Sequence, residues 1–147
     1  MELMTVLIPL PRYYNPDVSG MRREVEDEKF IETANEIAAV FEGGGTIRKY
    51  DDNDRQRGFW WNKGIIDWDV LAMLETDVPD TPENRAWFEE WAADKLVDRF
   101  QQAAIYVKFY GGGASVTTRL ITKEDRNRTA GGPPNRRKPS SQKRGSG

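Results

Sequence analysis

Ala104-Ile105-Tyr106-Val107-Lys108-Phe109-Tyr110 is the clearest strand in the sequence, rich in the β-branched and aromatic residues that fit a pleated surface. What stands on either side of it decides the fold. Upstream, Thr81-Pro82-Glu83 has the chemistry of a helix start: a hydroxyl N-cap, proline at the first helical position and an acid in the first turn. Phe88, Ala92, Leu96 and Phe100, with Trp91 and Val97 beside them, then form an amphipathic stripe reaching about Gln102. Downstream, Gly111-Gly112-Gly113-Ala114 turns the chain into Ser115 to Thr122, where polar and apolar residues alternate as in an added edge strand.

Working toward the N-terminus, the apolar run Val70 to Leu74 reads as a short strand, followed by Thr76-Asp77-Val78-Pro79. Before it, Phe59-Trp60-Trp61, the turn Asn62-Lys63-Gly64 and Ile65-Ile66 suggest a projecting hairpin. Thr46 to Tyr50 predicts a second strand. Phe30, Ala34, Ile37, Ala38 and Phe41 share one face of a helix from about Asp27 to Glu42, which Gly43-Gly44-Gly45 is expected to cap through a left-handed glycine. Thr5 to Ile8 predicts a first strand, stopped at Pro9-Leu10-Pro11 where backbone donors disappear. The order strand, helix, strand, strand, helix, strand is that of an α+β, ferredoxin-like βαββαβ sandwich. An inserted hairpin or loop lies between Asp51 and Ile66, and an extra edge strand follows at the C-terminal side. One domain is expected over residues 1–122, with a disordered basic tail over 123–147.

Cysteine and histidine are both absent, which removes thiolate chemistry, the commonest general base and the commonest zinc ligand. Before Arg126 there are 24 acidic and 15 basic residues, a net charge of -9, whereas Arg126, Arg128, Arg136, Arg137, Lys138, Lys143 and Arg144 give the rest +7. No apolar run approaches the ~20 residues of a membrane span. With no basic, apolar leader at Met1 to Leu10, the expected location is cytoplasmic.

Three clusters invite chemistry. Asp51, Asp54, Asp67 and Asp69, with Asp52, are the candidate ligands for a hard cation, although Arg55, Gln56 and Arg57 stand where an EF-hand loop needs ligands and glycine. Trp60, Trp61, Trp68 and Tyr50 are the candidate interaction surface. Adjacent residues of a strand face opposite ways, so Trp60 and Trp61 cannot both enter one core. The seven basic residues from Arg126 onward are the candidate nucleic-acid contacts, since phosphate binding needs charge and no fold. No residue is assigned a catalytic role and no cofactor is expected.

The order of short motifs resembles a family of small bacterial ferredoxin-like proteins of unknown function. Its pattern runs Pro-Leu to Asn, Phe-Gly-Gly-x-Thr, Gly-x-Trp, an acid before the third strand and Phe-x-Gln. The matching positions are Pro9-Leu10 with Asn15, Phe41 to Thr46 (with Thr46 one place later than in the pattern), Gly58-Phe59-Trp60, Asp67 or Asp69, and Phe100-Gln101-Gln102. The resemblance implies the fold and brings no activity. The expectation is therefore a non-enzymatic protein-interaction module that self-associates as a homodimer or binds another protein, with nucleic-acid binding as the alternative and a carboxylate-dependent hydrolase behind both.

Overall fold

The computed structural model describes residues 2–50, 57–112 and 115–127. Strands β1 (Leu3–Pro11), β2 (Gly45–Lys49), β3 (Arg57–Asn62), β4 (Ile65–Pro79), β5 (Ile105–Tyr110) and β6 (Val116–Ile121) form one antiparallel sheet. Its order is β2-β4-β1-β5-β6, with β3 paired to β4 off that path. Helix α1 (Asp27–Phe41) joins β1 to β2, and a second helical run joins β4 to β5. The fold is α+β, with the alternating Met4, Val6, Ile8 and Leu10 of β1 buried in the helix-side core. Strand β6 lies where alternation placed an added edge strand.

Strand β1 does not stop before its prolines. It pairs with β4 as far as Pro11↔Leu71, but with β5 only from Thr5 to Leu7. Arg12 donates its backbone N–H to Val70 of β4 at 3.1 Å, and donors alternate between edges along a strand. Positions 9 and 11 would therefore direct their donors toward β5, beyond the last β5 pair. A proline there forfeits no ladder bond.

Strand β4 is a single 15-residue strand, where the sequence suggested a hairpin arm followed by a separate short strand. Residues 65–70 pair with β3, 72–76 with β2 and 71–79 with β1. The glycine run after α1 also differs from expectation. Glu42 takes the left-handed cap (φ 54°), its N–H donating to Ala38 at 2.8 Å. Gly45 serves instead as a close-approach position opposite Thr76, because a Cβ there would lie 2.3 Å from the Glu75 carbonyl oxygen.

The second helical run opens as expected, with Thr81 Oγ1 accepting from the Asn84 N–H at 3.1 Å. It comprises α2 (Pro82–Trp91), a π-helical turn (Ala92–Leu96) and α3 (Val97–Arg99). Phe88, Ala92, Leu96 and Phe100 repeat every four residues, which overshoots the 3.6 of an α-helix. The wider π turn absorbs the excess, and all four side chains are fully buried. Arg99 then ties this run to α1: its guanidinium donates to Thr33 Oγ1 at 2.9 Å and Glu36 Oε2 at 2.7 Å, while Trp91 Nε1 donates to Glu36 Oε1 at 2.8 Å. The folded chain also continues past Thr122. Lys123–Asn127 form a 3-10 turn, held by Lys123 on Asp98 at 2.7 Å and Arg126 on Asp98 at 3.2 Å.

Two outcomes follow from this packing. Gly45→Ala should destabilise the chain by about 2 kcal/mol, read by urea unfolding, because the β2 and β4 backbones must part to admit the methyl group. At Glu36, partial burial raises the carboxyl pKa, but the bonds from Arg99 and Trp91 and the Arg99 charge outweigh it and leave the group below its ordinary 4.5. That stabilisation is present above pH 4.5 and is lost as pH falls through the lowered folded-state value. Glu36→Gln should cost about 1.5 kcal/mol at neutral pH and flatten the acid limb of stability against pH. An unchanged acid limb would show that other carboxylates set it.

Candidate interaction surface

The alternation that buries one side of the sheet presents the other without a helix over it. From β1 come Leu3, Thr5, Leu7, Pro9 and Pro11; from β4, Leu71, Met73, Glu75 and Asp77; from β5, Tyr106, Lys108 and Tyr110; from β6, Val116, Thr118 and Leu120. Register sorts them into rows. Arg48 stands opposite Met73, Met73 opposite Pro9, and Tyr106 opposite Leu120, giving an apolar band with a basic end. The next row sets Glu75 opposite Leu7 and Leu7 opposite Lys108. Tyr106 and Leu120 remain 40% and 51% exposed, too much for two core positions.

At one end of the band a groove of about 190 Å³ opens beneath β3, walled by Pro9, Phe59, Leu71, Met73 and Tyr106, with Asp69 and Lys108 on its margin. Gly58 permits β3 to lie close over Leu71: a Cβ there would meet a Leu71 methyl at 3.2 Å. The segment between β1 and α1 is lashed beside this end. Arg12 bonds Glu24 and the Tyr50 carbonyl, both at 2.7 Å, and Arg22 bonds Asp69 at 2.9 Å. Tyr14 donates to Glu26 at 2.5 Å, and burial together with that carboxylate pushes the phenol up to about 12. It stays neutral across the physiological range.

Asp69, one of the four proposed cation ligands, is thus engaged by Arg22. Asp67 occupies the β4 position opposite Trp60, whereas Asp51, Asp52 and Asp54 lie outside the described residues. Among the described residues there is no group of three or more potential ligands. Of the proposed aromatic surface, Trp68 is exposed and packs at 5.5 Å on the equally exposed Phe59 across the hairpin. Tyr50 is half-buried under the Arg48 guanidinium, 4.6 Å from its ring centre. Trp60 and Trp61 sit in β3 opposite Asp67 and Ile66, with their side chains outside the description. Arg126 is folded onto the helical run, and Arg128, Arg136, Arg137, Lys138, Lys143 and Arg144 lie outside the described residues.

A wider groove of about 740 Å³ separates α1 from the edge strand β2, walled by Phe30, Ala34, Ile37, Ile47 and Leu74, with the Lys49–Asp27 ion pair at its margin. No helix of the described chain is long and apolar enough to cross a membrane. The sequence reading missed the Met73, Pro9, Tyr106 and Leu120 band. Its signal was the presence of large side chains at both parities of Ile105 to Tyr110.

No family model matches the sequence, and no curated protein matches it. Two solved structures share the fold. One is a phage SAM lyase in complex with S-methyl-5'-thioadenosine, 12% identical, covering 82% of this chain and 89% of that one, with a TM-score of 0.56. The other is a phage SAM lyase in the apo state, also 12% identical, covering 82% and 90%, with a TM-score of 0.54. At this identity the likeness is one of architecture.

Proposed function

We propose that the chain is a small protein-interaction module on a ferredoxin-like βαββαβ frame, acting as a homodimer through its helix-free sheet face. Setting β3 and β6 aside leaves the order β2-β4-β1-β5 with a helix in each of two crossovers, which supports that frame. The motif order shared with the small bacterial family is in keeping with it. The observation that carries the function is the band of Met73, Pro9, Tyr106 and Leu120, flanked by the exposed Phe59–Trp68 pair. Large aromatic and apolar side chains grouped on one uncovered face mark a surface that gains from losing water. Two-fold pairing also suits its charges: a symmetry-related copy can set Lys108 against Glu75 twice over.

A second reading is favoured by the groove beneath β3 together with the architectural likeness to a SAM lyase bound to S-methyl-5'-thioadenosine. Phe59 and Tyr106 offer faces on which a purine base stacks, beside the Asp69 carboxylate. The groove is smaller than the ~300 Å³ at which ligand sites begin, so within one chain it accommodates part of such a molecule.

Light scattering during gel filtration should return twice the chain mass for the homodimer. The double substitution Tyr106→Asp with Leu120→Asp should return a monomer with unchanged circular dichroism. A wild-type monomer at every concentration removes the proposal. For the second reading, calorimetry with S-methyl-5'-thioadenosine and with SAM should give saturable heat that Tyr106→Ala weakens at least tenfold. Absence of heat at millimolar ligand eliminates it.

A further inference from the structure

On the far side of the molecule from the sheet face, a third groove of about 380 Å³ runs between α1 and α2. Its wall is aromatic: the Trp87 and Trp91 rings stack at 5.1 Å and 19°, with Phe41 edge-on to Trp87 at 5.1 Å. Its margin is acidic, with Glu36, Glu90 and Asp94 against the single Lys95. The Glu36 carboxylate accepts from Arg99 and Trp91, and Glu90 and Asp94 line the same groove. An aromatic wall beside carboxylates is the surface chemistry that recognises guanidinium and ammonium groups.

The described chain ends one residue after Arg126, which stands beside Asp94 of this groove. Arg126, in the 3-10 turn Lys123–Asn127, donates to the Ala93 carbonyl at 3.4 Å and to Asp98 at 3.2 Å, and its Nε lies 3.9 Å from Asp94 Oδ1. A cation of the C-terminal segment thus already stands at one wall. The residues that follow carry Arg128, Arg136, Arg137, Lys138, Lys143 and Arg144 and no acid, whereas the chain before Arg126 has 24 acids against 15 bases. Reach is ample. The groove follows α2 and the π turn from Ala86 to Lys95, about 14 Å of helix. Residues 128 to 136 span up to about 30 Å when extended.

We infer that the basic C-terminal segment, Arg128 to Arg144, docks back into the tryptophan-walled groove between α1 and α2 of its own chain. Arg126 is the anchor, and the guanidinium and ammonium groups beyond it lie on the Trp87 face and against Glu90 and Asp94. Tethering at Asn127 makes the contact intramolecular, with an effective concentration on the millimolar scale, so weak individual contacts suffice. The contact neutralises much of the body's negative charge and occupies the cations that would otherwise meet phosphate. It involves a surface separate from the sheet face and stands whether or not that face dimerises.

The test is zero-length carbodiimide cross-linking of the full chain, mapped by mass spectrometry on an equal mixture of ¹⁴N- and ¹⁵N-labelled protein. Lys123 and Asp98, 2.7 Å apart, provide the internal control that the reaction proceeds. Links from Lys138 or Lys143 to Glu90 or Asp94 should form within single chains, and fall at least fivefold in 0.5 M salt or in Arg136→Gln with Arg137→Gln. Those substitutions leave the tryptophan wall, the carboxylates and both reacting lysines intact, and circular dichroism confirms that the variant is folded. The inference is overturned if the control link forms while Lys138 and Lys143 link nowhere, link indiscriminately over the body, or link between chains, with mixed-label products making up about half of the linked peptides. Links to the groove that survive both salt and the double substitution also overturn it.

Discussion

Strand β4 is the constraint on which the rest of the molecule depends. It runs unbroken from Ile65 to Pro79 and supplies partners to β1, β2 and β3. At ~3.3 Å per residue it is about 50 Å long, so it sets the sheet's long dimension and fixes which parity of each neighbour faces the helices. Ala72, Leu74, Thr76 and Val78 are buried, and the register opposite them buries Leu10, Ile8, Val6 and Met4 of β1. A slip of one residue would turn both sets outward. Gly45 exists for the same constraint: β2 reaches its register only if nothing projects where the Glu75 carbonyl stands.

Much of this was legible because local chemistry and tertiary demand agree. Thr81-Pro82-Glu83 starts a helix by capping and by proline's fixed φ, whatever the core requires. The alternation of residues 116 to 121 fits an edge strand because one face of β6 meets water. The misreadings occur where a residue's role is set by distant chain. Pro9 and Pro11 look like stops until β5 is seen to end its pairing at Leu7. Asp67-Trp68-Asp69 looks like a break in β4 because its pattern changes where the partner changes from β2 to β3. The glycines after Phe41 satisfy the statistics of helix caps, yet Glu42 takes the left-handed position and Gly45 answers to steric approach.

The candidate surfaces were less legible for a related reason. Trp68 was singled out by composition, and it is exposed. Tyr106 and Leu120 belong to strands that sequence identifies well, but which parity stays uncovered depends on where both helices settle. The link among Arg99, Thr33, Glu36 and Trp91 joins positions as far as 66 apart in sequence, and no local pattern marks it. It nevertheless holds the two helical elements at the separation that leaves the outer tryptophan groove open between them.

These features divide the molecule by physical character. The sheet face is broad and largely apolar, with Glu75, Leu7 and Lys108 in one row across it. The helical side is acidic and narrow, and its aromatic wall suits slender cationic side chains. Arg126 lies at the mouth of that second surface, bound to Asp98 and close to Asp94. The two surfaces lie on opposite sides of one sheet and differ in chemistry. The net charge of -9 before Arg126 and of +7 from Arg126 onward are complementary in sign, whereas the band of Met73, Pro9, Tyr106 and Leu120 contains no carboxylate.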